Sequence, residues 1–277
     1  MRRLKDLNQE ELCRIMGYAI ELRNNGLSYT EISKAIAKNK NVKISKATVI
    51  RWCKEMHNPF NKIKRLNLSA SPELAYIIGV YFGDASLSKR SNSIYRIRLK
   101  VVDKEFAEAF RDALIGIGLN PKLGFENDKN RSSRWYVEAN SKSLYMFLNQ
   151  PKEELFEVAK EYPREFLRGF FDSEGSVIWY EPRKSLVISA FNYDFDILNF
   201  CKELLQDFGI RSKIYLTKKR GMPIVIRGEQ YYYNNNLYEL RILRRKSVLK
   251  FYKEIKFTIF RKHQKLESAL KLLGLIE

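Results

Sequence analysis

The chain has 277 residues, 45% of them hydrophobic, and its 51 Lys and Arg against 32 Asp and Glu give a formal net charge of +19. That length holds two domains, or one large domain with an appendage, and the apolar content is enough for a packed core. The charge suits a polyanionic partner, whereas three scattered cysteines without a CxxC pair, two histidines and no long apolar run exclude a disulfide framework, a zinc finger and a membrane-spanning helix.

Asn8 with Glu11 reads as a capping box, and Leu12, Ile15, Met16, Ala19, Ile20 and Leu22 follow at helical spacing up to the stop signal Asn24-Asn25-Gly26. Ser28 with Glu31 opens a second helix carrying Ile32, Ala35 and Ile36. Ser45 caps a third, with Val49, Ile50 and Trp52 on its buried side. Three short helices of this kind resemble a helix-turn-helix module, and a bland three-helix bundle reads nearly the same. In the first case Lys46, Thr48, Arg51 and Lys54 on the third helix would contact DNA. The tract Asn58–Arg65 reads as a basic linker, which puts the boundary of this all-α module near residue 68.

The rest of the chain reads as a duplication. An apolar run Leu74–Phe82 leads into Gly83-Asp84-Ala85, and a second run Phe166–Phe171 leads into Asp172-Ser173-Glu174-Gly175. After the first comes a strand, a polar turn over Ser88–Ser93, and a strand with Ile97, Leu99 and Val101 on one face and Arg96, Arg98 and Lys100 on the other. A helix over Lys104–Ile117 ends at Gly118, and strands near Lys122–Glu126 and Arg134–Ala139 precede a helix over Ser141–Leu148. The second copy repeats the order. Strands lie near Ser176–Tyr180 and Ser185–Phe191, a helix over Phe195–Phe208 ends at Gly209, strands lie near Lys213–Lys219 and Leu237–Ile242, and a helix covers Lys246–Ile255. Asp84 and Glu174 stand 90 positions apart, and Gly118 and Gly209 stand 91 apart. The second copy adds a basic hairpin tract, Lys218–Tyr233. Short connections make the strands antiparallel. The fold class is therefore α+β, a duplicated αββαββα core with half-domains at 69–160 and 161–277. The basic sheet faces, with Lys213 and Lys219 in the second copy, suit the major groove of duplex DNA.

Small residues four apart, Gly79 with Gly83 and Gly169 with Ser173, let two helices approach closely. Each helix ends in an acid, a position that the helix dipole disfavours. Two such acids together would repel, and a divalent cation would offset both penalties. These segments resemble the two motifs of the LAGLIDADG homing endonuclease family in its single-chain form, over roughly residues 72–277. Gly169, Asp172 and Gly175 fit the motif; Ala85 replaces the usual glycine, and Phe82 the first acid, in the first copy. Phe251–Ile255 and Arg261–Leu266 resemble the family's C-terminal segment.

The resemblance implies that Asp84 and Glu174, with the carbonyls of Gly83 and Ser173, hold two or more Mg²⁺ ions, with Mn²⁺ able to substitute. It implies a staggered double-strand cut leaving 5′ phosphates and 3′ hydroxyls, with basic side chains near the metals. Lys142, Arg241, Arg244 and Arg245 are the candidates for that role. A non-cleaving DNA-binding regulator and an intron RNA maturase on the same scaffold remain open beside the endonuclease. A separate module beginning at Met1 argues against an intein-embedded form. Fusion of the two halves leads us to expect a monomer, and Met1–Lys5 without an apolar stretch behind it a cytoplasmic protein with no membrane partner.

Overall fold

The computed structural model describes residues 1–54, 66–91, 94–127, 132–226 and 228–277. The expected basic linker Asn58–Arg65 and residues 92–93 of the expected Ser88–Ser93 turn lie outside them. Two compact units divide between Arg65 and Leu66.

The first unit holds α1 (Gln9–Asn24), α2 (Tyr29–Lys40) and α3 (Lys46–Cys53), with a two-residue parallel pair of β1 (Arg2–Arg3) and β2 (Val42–Lys43). Asn8 and Glu11 form the expected capping box, as do Ser28 and Glu31, and Ser45 caps α3. Each cap satisfies first-turn amide groups that have no partner inside the helix. Ile15, Ala19, Ile32, Ile36, Val49 and Trp52 make the core.

The second unit begins with Leu66 and Leu68 packed on its own core, and the Asn67 amide donates to Ile117 O. Its first half runs α4 (Pro72–Tyr81), β3 (Ser86–Ser91), β4 (Ile94–Val101), α5 (Lys104–Gly116), β5 (Lys122–Glu126), β6 (Arg134–Asn140), α6 (Lys142–Leu148) and α7 (Lys152–Glu161). Its second half runs α8 (Pro163–Glu174), β7 (Gly175–Tyr180), β8 (Ser185–Asn192), α9 (Phe195–Asp207), β9 (Lys213–Lys218), β10 (Pro223–Ile226), β11 (Glu229–Tyr232), β12 (Leu237–Ile242), α10 (Arg245–Glu254) and α11 (Phe260–Leu272). Each half has one antiparallel four-stranded sheet of equivalent order, β3-β4-β6-β5 and β7-β8-β12-β9. The inserted tract forms the β10–β11 hairpin.

Gly118 and Gly209 end the equivalent helices with φ of +96° and +67°, the left-handed stop that a side chain disfavours. Ile97, Leu99, Val101 and Val137 are buried under the helices, and Arg96, Arg98 and Lys100 stand on the opposite face. Three features depart from the sequence reading. β3 continues through Ser91, beyond the start of the expected turn. Helices α7 and α11, one closing each half, add to the αββαββα plan. Gly83 lies in the turn after α4, whereas its counterpart Ser173 is still helical in α8.

Candidate active site

Helices α4 and α8 touch backbone to backbone. A Cβ at Gly79 would overlap Phe166 O and fall 2.8 Å from Phe170 N; one at Gly169 would overlap Tyr76 O and fall 3.2 Å from Val80 N. Glycine at both positions is what lets the axes come this close. Further along, a Cβ at Gly83 would meet Ser173 Oγ at 2.8 Å and Glu174 Cγ at 3.3 Å. The turn carrying Asp84 is therefore pressed against the end of the helix carrying Glu174.

Both acids are raised from their ordinary pKa values. Burial pushes Glu174 up, the Asp84 charge adds to it, and the Lys262 ammonium opposes both, leaving it at about 7. Desolvation by the surrounding protein raises Asp84 as well, against Lys262 and then Arg134, although one side of the residue stays open to solvent. Two carboxylates that destabilise each other's charged form are a setting that a cation relieves.

The preceding carbonyls are already claimed. Asn192 Nδ2 donates to Phe82 O at 3.1 Å, and Lys262 Nζ donates to Asp172 O at 2.6 Å and Phe171 O at 3.3 Å. Among the described residues no three His, Cys, Asp or Glu side chains cluster. The side-chain oxygen donors at this end of the helix pair are the carboxylates of Asp84 and Glu174. An all-oxygen set fits a hard divalent cation that keeps water or phosphate in its other positions.

Asp84 lines a cleft of about 160 Å³ with Lys100, Arg134, Asp172, Ser173 and Lys262. Glu174 lines another, of about 380 Å³, with Gly83, Asn192 and Tyr193. Lys262 is buried on α11, and burial pulls its ammonium down to about 8 against the raising influence of Asp172. The first acid of the second motif, Asp172, has a structural task. Asp172 is buried, and its carboxylate accepts from Tyr76 Oη at 3.0 Å and from the Thr258 amide at 2.8 Å. It therefore joins α4, α8 and the segment before α11. Its counterpart Phe82 packs against Phe156 and Phe166.

The structure does not bring Lys142, Arg241, Arg244 or Arg245 to the acids. Lys142 lies over the Tyr95 ring at 5.8 Å. Arg241 pairs with Glu239 at 2.6 Å and covers Tyr215 at 5.0 Å. Arg244 and Arg245 begin α10, and none of the four lines the cleft of Asp84 or that of Glu174. Among the described residues the charges that act on Asp84 are those of Lys262 and Arg134, and Lys100 and Arg261 also line its cleft.

The sheet cations are not free either. Arg96 and Arg98 share Glu138 at 3.3 and 3.8 Å, and Lys100 holds Glu126 at 2.6 Å. Lys213 lines a separate cavity, and Lys219 is exposed just beyond β9. In the first unit Lys46, Arg51 and Lys54 are exposed. Thr48 is not: it is half-buried, and its Oγ1 lies 2.9 Å from Ser45 Oγ, engaged in the cap of α3.

Two αβ halves joined through a backbone-tight helix pair, each bringing an acid to the same end, define a duplicated α+β fold of the LAGLIDADG type. The LAGLIDADG-like domain family matches residues 71–150 and again 161–256, and the chain belongs to that family. It is 50% identical over 272 residues to the uncharacterized protein MJ0398 of Methanocaldococcus jannaschii, covering 98% of each chain. It is 31% identical over 195 residues to MJ0314 of the same organism, covering 67% of this chain and 70% of the other. Among solved structures, the homing endonuclease I-DmoI in complex with DNA and Ca has the same fold, with a TM-score of 0.50 at 17% identity, over 72% of this chain and 99% of the other.

Proposed function

We propose that this chain is a site-specific endonuclease that cuts both strands of duplex DNA with Mg²⁺, leaving 5′ phosphates and 3′ hydroxyls. The observation that carries the reading is the meeting of Asp84 and Glu174 at one end of the α4–α8 pair, flanked by Lys262 and Arg134. The fold shared with I-DmoI, solved with DNA and Ca, supports it.

Asp84, Glu174 and the Gly83 and Ser173 carbonyls would hold the ions. Bound there, the metal would supply Lewis acidity toward a phosphate oxygen and lower the pKa of a coordinated water. The chain's own residues prepare that step. Lys262 and Arg134 place positive charge beside the acids, where a phosphodiester gains negative charge during hydrolysis. Lys262 and Asn192 fix the carbonyls next to the ligating ones, so that the ligands are set in place before substrate arrives. The outward face of each sheet lies against the duplex, with Arg96, Arg98, Lys100, Lys213 and Lys219 on phosphates and base edges. Arg96, Arg98 and Lys100 exchange their Glu126 and Glu138 partners for DNA in doing so. The first unit, residues 1–65, acts as a helix-turn-helix reader through Lys46, Arg51 and Lys54, and the fused halves work as a monomer.

The test is incubation of the full chain with a library of duplex targets and Mg²⁺, followed by sequencing of the ends. A recurrent staggered cut is expected. Asp84→Asn and Glu174→Gln are each expected to abolish cutting and to leave metal-independent binding nearly intact. Cutting by either variant at the wild-type rate would remove these acids from the mechanism. Binding without cutting by the wild-type chain would leave a DNA-binding protein.

A further inference from the structure

At one corner of the second half, the α9–β9 turn and the β12–α10 turn enclose a cavity of about 660 Å³. Lys202, Arg211, Lys213, Arg241 and Arg244 line it, and no carboxylate does. Among the described residues, Arg241 alone of these five pairs with an acid, Glu239. Ser212 Oγ, also in the lining, is shut off from solvent with no hydrogen-bond partner. Helix α10 starts here behind Arg244, whose side chain caps nothing. Its first-turn amides add the positive end of a helix dipole to the four unpaired cations. The Arg211 amide donates to Ser247 Oγ at 3.0 Å, which ties the two turns together.

The first half shows the same corner without the charge. Arg111, aligned with Lys202 by the duplication, is neutralised by Asp112 at 2.7 Å. Asn120-Pro121-Lys122 stand for Arg211-Ser212-Lys213. The strand neighbour of Lys122 is Glu138, whereas that of Lys213 is Arg241. Helix α6 is capped by Ser141, whose side chain accepts from the Leu144 amide. In the first half Arg111 and Lys122 thus each have an acid beside them and α6 has its own cap. In the second half Glu203, at the place of Asp112, accepts from Asn199 instead, and among the described residues Arg241 alone of the five cations has an acid. Like charges held around a cavity repel unless an anion enters it.

We propose that this cavity is a phosphate clamp for the DNA backbone, present in the second half only. The proposal rests on the reading of the sheets as the duplex-binding surface. The lining carries no aromatic side chain for a base to stack on, which points to phosphate rather than a nucleotide. Lys213 and Arg241 pair across β9 and β12, so the cavity opens along the edge of the sheet face itself. A strand leaving that face would run its phosphates into the corner. The grip on the target is then unequal, with an extra backbone contact beyond the half-site that the second sheet covers.

Arg211→Asn and Arg244→Ser restore the residue types of the first half, and the second also gives α10 its own cap. In the full chain, binding to duplex should lose about 0.9 from the slope of log K against log salt for each phosphate contact removed. The melting temperature of Arg244→Ser should not fall, which separates a lost contact from a lost fold. Methylphosphonate groups in the flank of one half-site should weaken wild-type binding, with no further effect on the double variant. Wild-type slopes in both variants, with duplex binding intact, would overturn the clamp alone. So would inorganic pyrophosphate binding that Arg244→Ser abolishes while the DNA slope stays the same, since that is the behaviour of a free-anion site. A wild-type chain that binds no duplex would overturn the underlying reading, and the clamp with it.

Discussion

Glu174 stands where a carboxylate is least at ease, half-buried at the C-terminal end of α8 and beside Asp84. An acid whose folded pKa is raised keeps its proton in the native chain at pH values where the unfolded chain has lost it. Stability therefore falls as pH rises from about 4.5 to about 7, and stays lower above that. The loss is on the order of 2 kcal/mol after solvent screening of a half-buried group. In chelator, the drop in melting temperature from pH 5 to pH 8 should be smaller for Glu174→Gln than for wild type. Added Mg²⁺ at pH 8 should raise the melting temperature of wild type and not of the variant. An equal pH drop in both would mean that the carboxylate is solvated. Asp84 and Glu174 are legible in the sequence because small residues and a terminal acid recur together, a pattern that packing alone does not require. Lys262 is not. It is one of 51 basic residues, and only the path of the chain from α10 to α11 carries its ammonium to Asp172 O. Lys142 and Arg241 looked equivalent to it on charge, yet Tyr95, Glu239 and Tyr215 hold them elsewhere.

At the scale of the element, the helix pair is set by two glycines. Gly79→Ala and Gly169→Ala each drive a methyl into the partner helix's backbone, which cannot rotate away as a side chain can. Each should cost about 2–3 kcal/mol, read as a lower denaturation midpoint with an unchanged slope. Alanine at Gly17, where nothing lies near the added Cβ, should not destabilise α1. Strand alternation and post-helix glycines made both sheets readable from the sequence. Helices α7 and α11 lie outside the αββαββα plan, although each carries a local apolar face, Leu155 and Ala159 on α7 and Leu266, Ala269 and Leu270 on α11; what the sequence hides is where they dock. Lys152 at the start of α7 binds Asp194 and Asp196 at the start of α9, at 3.0 and 2.5 Å. Arg261 at the start of α11 grips Asp103, the N-cap of α5, at 2.7 and 2.9 Å. Each half thus closes by docking its last helix on the other half, a reciprocity that no local pattern announces.

Among the described residues, the buried apolar side chains fall into two clusters, one in each unit. Ile15 through Trp52 make one, and the cluster from Leu74 to Leu270 makes the other. The acids, the cations beside them and both sheets all lie in the second unit. Residues 66–277 should therefore fold alone, melt cooperatively, and still cut when DNA is in excess. What the deletion removes is charge: residues 1–65 carry 15 basic against 6 acidic side chains. If Lys46, Arg51 and Lys54 each neutralise one phosphate, the slope of log K against log salt should flatten by about 2.7. A truncated chain that melts normally but fails to cut at saturating DNA would make the first unit part of the catalytic assembly. An unchanged salt slope would show that its exposed lysines and arginine face solvent, not DNA.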